Sequence, residues 1–418
     1  MDHSEKIDLH AEPRSRTKGN GALWLLLIIA GLPTLGTFLA FGAPWWDKLD
    51  LLSHFRMQYA FILIISVVAS MCMRYWRLGL LLLIPTTINI ALILPLFVHP
   101  GWFLPRAEFV SQEPDGGPVM KLVTYQMDPQ WSQGEDLLEL VRNSSADMIV
   151  LQGVNHASLR QLEYAVAPFR VVGAHLREDG QGCAILVRVS IRSPIQVRYS
   201  RPILLDDVPD PQAPPAYCTV FYWYGREVLL LTLQGVSPLS PHRTHTQQRQ
   251  FSDLATWASR QQEPVIVMGN LNTTPWSYHF RKLLADSNLQ NSQQGFGIQG
   301  TWPSTGGALG QLPLDHCLLS PSLKAIHRET GPSLTSSHHL LEVHIQWTSG
   351  ASTPPMPEPN YDIEDTGRLD PVQQAIDRQN ERITYLQNSG RITPVPQTQA
   401  AELDPQEAAP IQPVPVRN

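Results

Sequence analysis

The sequence predicts an α/β sandwich carried behind a membrane anchor. Three observations lead there. Apolar residues are concentrated before position 100, short β-branched runs alternate with amphipathic stretches between 121 and 347, and several runs end directly in polar residues. Polar loops gathered at one end of two packed sheets fit this pattern better than a doubly wound sheet. Four layers follow, two mostly antiparallel sheets flanked by helices, with three hydrophobic helices before them.

Gly21 to Phe41 is almost wholly apolar and long enough to cross about 30 Å of hydrocarbon. MQYAFILIISVVASMCM (57–73) and LGLLLLIPTTINIALILPLFV (78–98) are the second and third predicted spans. Pro33, Pro85 and Pro95 are tolerable where neighbouring helices satisfy the backbone groups they free. The first run follows a polar tail, 1–20, and no A-x-A site comes after it, so a retained anchor (21–98) is expected rather than a cleaved leader.

Lys and Arg near the span ends set the expected orientation. Arg14, Arg16 and Lys18 precede the first span, and Arg74 and Arg77 lie between the second and third. The other loop has Lys48 and Arg56, with Trp45 and Trp46 placed as interfacial anchors. A cytoplasmic N-terminus then puts everything after Val98 on the outer side.

In the soluble part, 112–347, strands are expected at KLVTYQM (121–127), DMIVLQGV (147–154), GCAILVRV, EVLLLTLQGV, PVIVMGNLN, LDHCLL and LEVHIQW. Helices are expected from Gly134 to Val141 and from Thr244 to Gln261. The last 71 residues hold eleven prolines and few aromatics, a composition that cannot bury enough apolar surface to order itself. Disorder is expected for 348–418, with a short helix at 370–388 and a possible protein partner. Net charge is −6, which gives no support for nucleic acid as a partner. Cys72, Cys183, Cys218 and Cys317 show no CxxC or zinc spacing, and no disulfide is expected.

The strand-end loops resemble the endonuclease/exonuclease/phosphatase superfamily, in particular its membrane-anchored bacterial members. PVIVMGNLNTTPWSYHFRKLL (264–284) is similar to the family's GDxN strand end followed by a TPWS loop and helix. TWP (301–303), LDH (314–316) and SHH (337–339) follow in the family's order. The resemblance implies a domain that binds Mg²⁺ or Mn²⁺ and hydrolyses phosphoesters with water. Such chemistry needs hard oxygen ligands, a group that orients the water and donors for developing phosphate charge.

Position by position, the resemblance implies a degenerate site. The metal-side Asn is Gln126, and the principal metal carboxylate of the family's LQE is Gly153 in LQGVN. The phosphate-contacting His is Gln234, and the water-orienting Asp of GDxN is Asn270, while Asn272 is kept. Aligned on SDH, Ser337-His338-His339 puts His338 at the metal-side Asp and His339 at the catalytic His, oriented by Asp315. The expected consequence is a fold kept for ligand or protein binding, anchored in a bacterial inner membrane, without a resident cofactor. One alternative is a divalent-metal-dependent phosphodiesterase or phosphatase with a rewired site, where His338, His339 and Asp315 recruit Zn²⁺. The other is an unrelated α/β binding module.

Overall fold

In the computed structural model the described residues are 21–98, 117–128, 135–165, 167–177, 180–190, 194–203, 205, 214, 216–334 and 336–348. The expectations for 1–20 and for the tail from 349 onward, its short helix included, lie outside them.

The soluble part is two packed six-stranded mixed sheets. One has the order β11-β12-β1-β2-β4-β3 and the other β5-β6-β7-β8-β10-β9. In the first these are Leu323–Thr330, Leu341–Trp347, Met120–Gln126, Met148–Val154, Gly182–Arg188 and Phe169–His175. In the second they are Ile195–Ile203, Ala216–Trp223, Arg226–Thr232, Val265–Asn270, Asp315–Leu319 and Gln290–Asn291. Each sheet has a single parallel pair, β1 with β2 and β7 with β8. Because parallel neighbours end at the same edge, the loops after β1 and β2, and those after β7 and β8, gather pairwise. Polar residues at these strand ends are therefore brought together by topology.

Side chains between the sheets form one apolar layer, including Met120, Met148, Ile185, Phe221, Trp223, Leu230, Ile266 and Val343. A second layer lies under α7 (Pro241–Ser259) and α8 (Tyr278–Ser287), with Phe251, Leu254, Phe280 and Leu283 facing β8. A third packs α5 (Glu135–Asn143) and α6 (His156–Ala165) on the other sheet through Leu137, Val141 and Leu162. The run MIVLQGV of β2 is buried throughout, as expected for a strand covered on both faces.

Several boundaries move. α7 starts at Pro241 rather than Thr244, because Ser240 caps it by accepting from Arg243 N and proline suits the first helical position. β7 stops at Thr232, four residues short of the apolar run's end. The edge strands β3, β5, β9 and β11, and the central β6, have no counterpart among the sequence expectations. Cys183, Cys218 and Cys317 are buried thiols whose ionisation burial pushes up to about 12, so they pack as small apolar side chains.

The anchor departs from three equivalent spans. Two helical segments, Gly21–Gly42 and Trp76–Leu96, are long and apolar enough to cross a membrane. They comprise α1 (Gly21–Leu39) and α4 (Trp76–Ile93), each followed by a 3₁₀ turn. The middle helix, α3 (Arg56–Cys72), is shorter, and it is bent by 56° from the Asp47–Ser53 segment that ends in α2 (Asp50–Ser53). Ala30, Tyr59, Leu63 and Leu82 pack the three helices together. Asn89 is buried among them, donating to Thr37 Oγ1 (2.7 Å) and accepting from Arg56 Nη1 (3.2 Å).

The anchor is docked directly on the sandwich. Asp50 is buried and accepts from Ser277 Oγ (2.6 Å) and Tyr278 N (2.9 Å) at the start of α8. A carboxylate at a helix N-terminus satisfies orphan donors and complements the helix dipole. His54 bonds Thr274 Oγ1 (2.9 Å), Trp276 Nε1 donates to His54 O (3.2 Å), and Gly297 N donates to Leu96 O (2.7 Å). The Trp276 ring fills a cluster with Met57, Ala60, Ile93 and Leu96. The TPWS segment thus joins the membrane helices to the domain, and it leaves directly from the end of β8.

Candidate active site, closed by backbone and amides

The four central strand ends supply Gln126, Gln152, Gln234 and Asn270, which the pairings of β1 with β2 and β7 with β8 bring to one end of the sandwich. Gln152 Oε1 accepts from Asn270 N at 2.7 Å, a fully buried hydrogen bond from one sheet to the other. Asn270 Oδ1 in turn accepts from Asn272 N (2.8 Å), and Asn272 Nδ2 donates to Gly235 O (2.7 Å). Asn272 has φ +52°, a left-handed conformation that asparagine tolerates better than most residues. Gln126 Nε2 donates to Met127 O (3.1 Å).

Gly153 explains why the site is shut. Its φ is +77°, at a bulge where β2 shifts register against β4. A Cβ at this position would fall 2.2 Å from Met127 O and 3.2 Å from Gln126 Nε2. The backbone after β1 occupies the room that a side chain at 153 would need in this conformation. The adjoining hollow, lined by Gln152, His175, Gln181, Cys183, Thr232 and Gln234, has a volume of ≈ 10 Å³, about enough for one water.

Across the site stands a buried Asp–His pair, with His338 Nδ1 2.8 Å from Asp315 Oδ2. Burial pushes the Asp315 carboxyl up, but the charge and hydrogen bond of His338, with Thr301, hold it below the ordinary value. Arg328 lies behind it, fully buried, donating to Asp315 O (3.3 Å) and to Gln299. Burial lowers the Arg328 guanidinium to about 10.

This pairing corrects the register read from the sequence. His339 is not the partner of Asp315; its ring faces Gly331 O (2.9 Å), Ser304 O (3.2 Å) and Gln311 Nε2 (3.0 Å). SSHH contains two serines and two histidines, so SDH fits it in either of two registers. The one the fold adopts makes His338 the dyad histidine and Ser337 the residue in the metal-side Asp place. Ser337 Oγ and N both bond Asp128, at 3.0 and 3.1 Å, and Ser336 Oγ donates to Gln126 O (2.6 Å).

Asp128, Gln152, Thr301 and Arg328 were not among the residues singled out by sequence. Asp128 stands two residues past a strand end already marked as polar, which is the signal that could have found it. Gln152 sits beside the degenerate Gly153. Arg328 lies on β11, an edge strand without a motif. His316, next to Asp315, is buried with its Nε2 2.8 Å from Thr273 O, and burial lowers it to about 4, so it is neutral and structural.

The donors present do not fit Mg²⁺ or Mn²⁺. Mg²⁺ is held by one or two carboxylates with other oxygens; among the described residues no three His, Cys, Asp or Glu side chains come together, and Asp128 is engaged by Ser337 N and Oγ. Gln126 and Gln234 offer neutral amide oxygens without partners, Gln152 offers an unpaired Nε2 donor, and Asp315 faces His338. Zn²⁺ fares no better, since His339 turns both ring nitrogens to Gly331 O, Ser304 O and Gln311 rather than toward His338.

The sandwich topology and the ordered strand-end motifs agree with a family match over residues 130–349, more than half of the chain. The chain belongs to the endonuclease/exonuclease/phosphatase family. Among solved structures, a family protein from Bacteroides thetaiotaomicron is 14% identical, with TM-score 0.44, covering 55% of this chain and 98% of that one. A functionally unknown conserved protein from Enterococcus faecalis is 19% identical, with TM-score 0.44, covering 55% and 100%. The mannosyl-6-phosphatase of B. thetaiotaomicron is 14% identical, with TM-score 0.43, covering 55% and 100%. These likenesses concern the fold. No curated protein matches the sequence.

Gly153→Ala is expected to destabilise the domain by about 2 kcal/mol or more, since it combines a positive φ with a backbone clash. The urea midpoint of the full chain in detergent, followed by tryptophan fluorescence, measures this. A neutral result would mean that the loop after β1 moves aside freely.

Proposed function

We propose that the protein is an integral membrane member of the endonuclease/exonuclease/phosphatase family whose domain serves ligand or protein binding in place of phosphoester hydrolysis. The observation that carries this reading is the contact of Gly153 with Met127. The family's principal metal carboxylate is absent, and the backbone of the next loop occupies the space its Cβ would need. Asn270 adds to it, because an amide can orient a water but cannot serve as its base. Removing one such group from a hydrolytic site costs orders of magnitude in rate, and losses in a shared site do not simply add.

The retained Asp315–His338 pair has a consistent role in this reading. A buried carboxylate needs a partner, and His338 supplies one while its backbone N donates to Ser336 Oγ (3.0 Å). The pair fixes the loop 336–340 on the sandwich whether or not catalysis remains. No specific observation favours the rewired hydrolase.

The three-span reading of the anchor belongs to the same proposal, with α3 as the middle crossing and Asp47–Ser53 lying at its domain end. The C-terminal ends of α1 and α4 and the N-terminal end of α3 lie on the side of the docked domain. Arg74 and Arg77 lie at the opposite end, between α3 and α4. Together with Arg14, Arg16 and Lys18 this charge bias favours a cytoplasmic N-terminus and a domain on the outer side of a bacterial inner membrane. A protein partner for 348–418 completes the picture.

Two outcomes are expected. The full chain in detergent, given bis-p-nitrophenyl phosphate or p-nitrophenyl phosphate with Mg²⁺, Mn²⁺ or Zn²⁺, shows background rates that His338→Ala leaves unchanged; metal-dependent turnover lost in His338→Ala contradicts the reading. Alkaline phosphatase fused after residue 348 is active in a bacterial host, whereas an inactive fusion places the domain in the cytoplasm.

A further inference from the structure

The site end of the sandwich and the anchor are at the same end of the molecule. β7 and β8 are parallel, α7 crosses between them, and α8 leaves the end of β8, so both helices start at the end where Gln234 and Asn270 lie. Gln248 meets His279 Nε2 at 3.1 Å, which pairs the eighth residue of α7 with the second of α8. At about 1.5 Å per residue, α7 therefore projects roughly 10 Å beyond the start of α8. The start of α8 is itself capped by Asp50 of the anchor. The projecting turns touch the 3₁₀ turn Asp47–Leu49, between the first span and α3.

The chemistry of this projecting rim is apolar and basic. Leu239, just before α7, is 82% exposed, and Trp45 and Trp46 beside the anchor turn are 86% and 58% exposed. Arg243, His245 and Arg249 are exposed on α7, Arg281 on α8, and Lys48 reaches over the Trp46 ring. One acid, Asp47, is half-buried in the same turn as Lys48; other acidic side chains nearby are placed otherwise. Asp50 is buried at the α8 N-terminus, and Asp253 and Asp286 lie further along their helices, away from the anchor. On the other flank of the site, Gln58 of α3 donates to Leu309 O (2.8 Å) in α9 (Gly307–Gly310), and the Leu309 side chain is 45% exposed.

We propose that this rim is a bilayer-contacting surface, with Leu239, Leu309 and the two tryptophans entering the interface and Lys48, Arg243 and Arg281 meeting anionic phospholipid headgroups. The proposal rests on α1 and α4 being spans. Given that, the rim is continuous with them, so its occupant is the membrane the anchor already crosses. Exposed tryptophans at a span end, leucines next to them and a ring of basic groups match the interfacial layer. Each Lys or Arg near an anionic surface contributes about fivefold in local binding. A consequence is that the closed site of the domain faces the membrane surface.

The test uses the full chain carrying Cys72→Ala, which leaves only the buried Cys183, Cys218 and Cys317, with one exposed cysteine added in turn by Leu239→Cys, Leu309→Cys and, as control, Gln262→Cys just past the far end of α7. Each carries an NBD fluorophore and is reconstituted into phosphatidylcholine vesicles with or without phosphatidylglycerol, and with doxyl-labelled lipid as quencher. Positions 239 and 309 are expected to be quenched and 262 not. Quenching at 239 rises with phosphatidylglycerol, and Lys48→Glu with Arg243→Glu removes that rise. A chain that floats with the vesicles but is unquenched at 239 overturns the rim, which then faces water or another protein. Quenching that ignores phosphatidylglycerol overturns the headgroup contact. A chain that does not float overturns the span reading and the rim with it.

Discussion

The hydrogen bond from Asn270 N to Gln152 Oε1 holds the site end of the molecule together. It joins the two sheets at the end where Gln126, Gln234 and Asn270 gather, and it is fully buried. A buried donor left without a partner costs about 1–3 kcal/mol, so Gln152 cannot be withdrawn cheaply. From it a chain of amides and backbone groups runs through Asn270 and Asn272 to Gly235. The chain is built of neutral amides and backbone groups, and it leaves Gln126 Oε1, Gln152 Nε2 and Gln234 Oε1 without partners. Among the described residues, the hollow beside this network has a volume of ≈ 10 Å³.

Closure and anchoring are linked through one loop. Asn270 ends β8, and four residues later Thr274 already bonds His54 of the anchor. Trp276, Ser277 and Tyr278 then complete the joint, with Asp50 capping α8. The segment most like the family's catalytic loop is thus also the segment that holds the domain on its membrane helices. Its polar residues have structural work at the joint with the anchor.

Much of this was legible in the sequence, for reasons that differ by element. The buried strands β2, β7 and β8 announce themselves as apolar runs ending in polar residues, and β10 and β12 follow from LDHCLL and LEVHIQW. Edge strands such as β5 and β11 carry mixed, half-exposed patterns, so periodicity cannot separate them from loops. The replaced positions Gln126, Gly153, Gln234 and Asn270 could be read directly, but their consequence could not. Sequence says that Gly153 lacks a carboxylate, while only the backbone says that Met127 O has taken the space. The His338/His339 register was undecidable from four residues that repeat each other. The bend before α3 was concealed because Asp50, His54 and Arg56, polar beside an apolar run, read as a loop rather than as the ledge on which the sandwich rests.

The central claim is that the site has exchanged its metal for an internal amide network. Titrating Mn²⁺ into the purified full chain in detergent, and following the free ion by electron paramagnetic resonance, tests it most directly. The account predicts that the free-ion signal tracks added Mn²⁺ with no saturable loss. Uptake of one Mn²⁺ per chain, abolished by Asn270→Ala or Gln126→Ala, would contradict it.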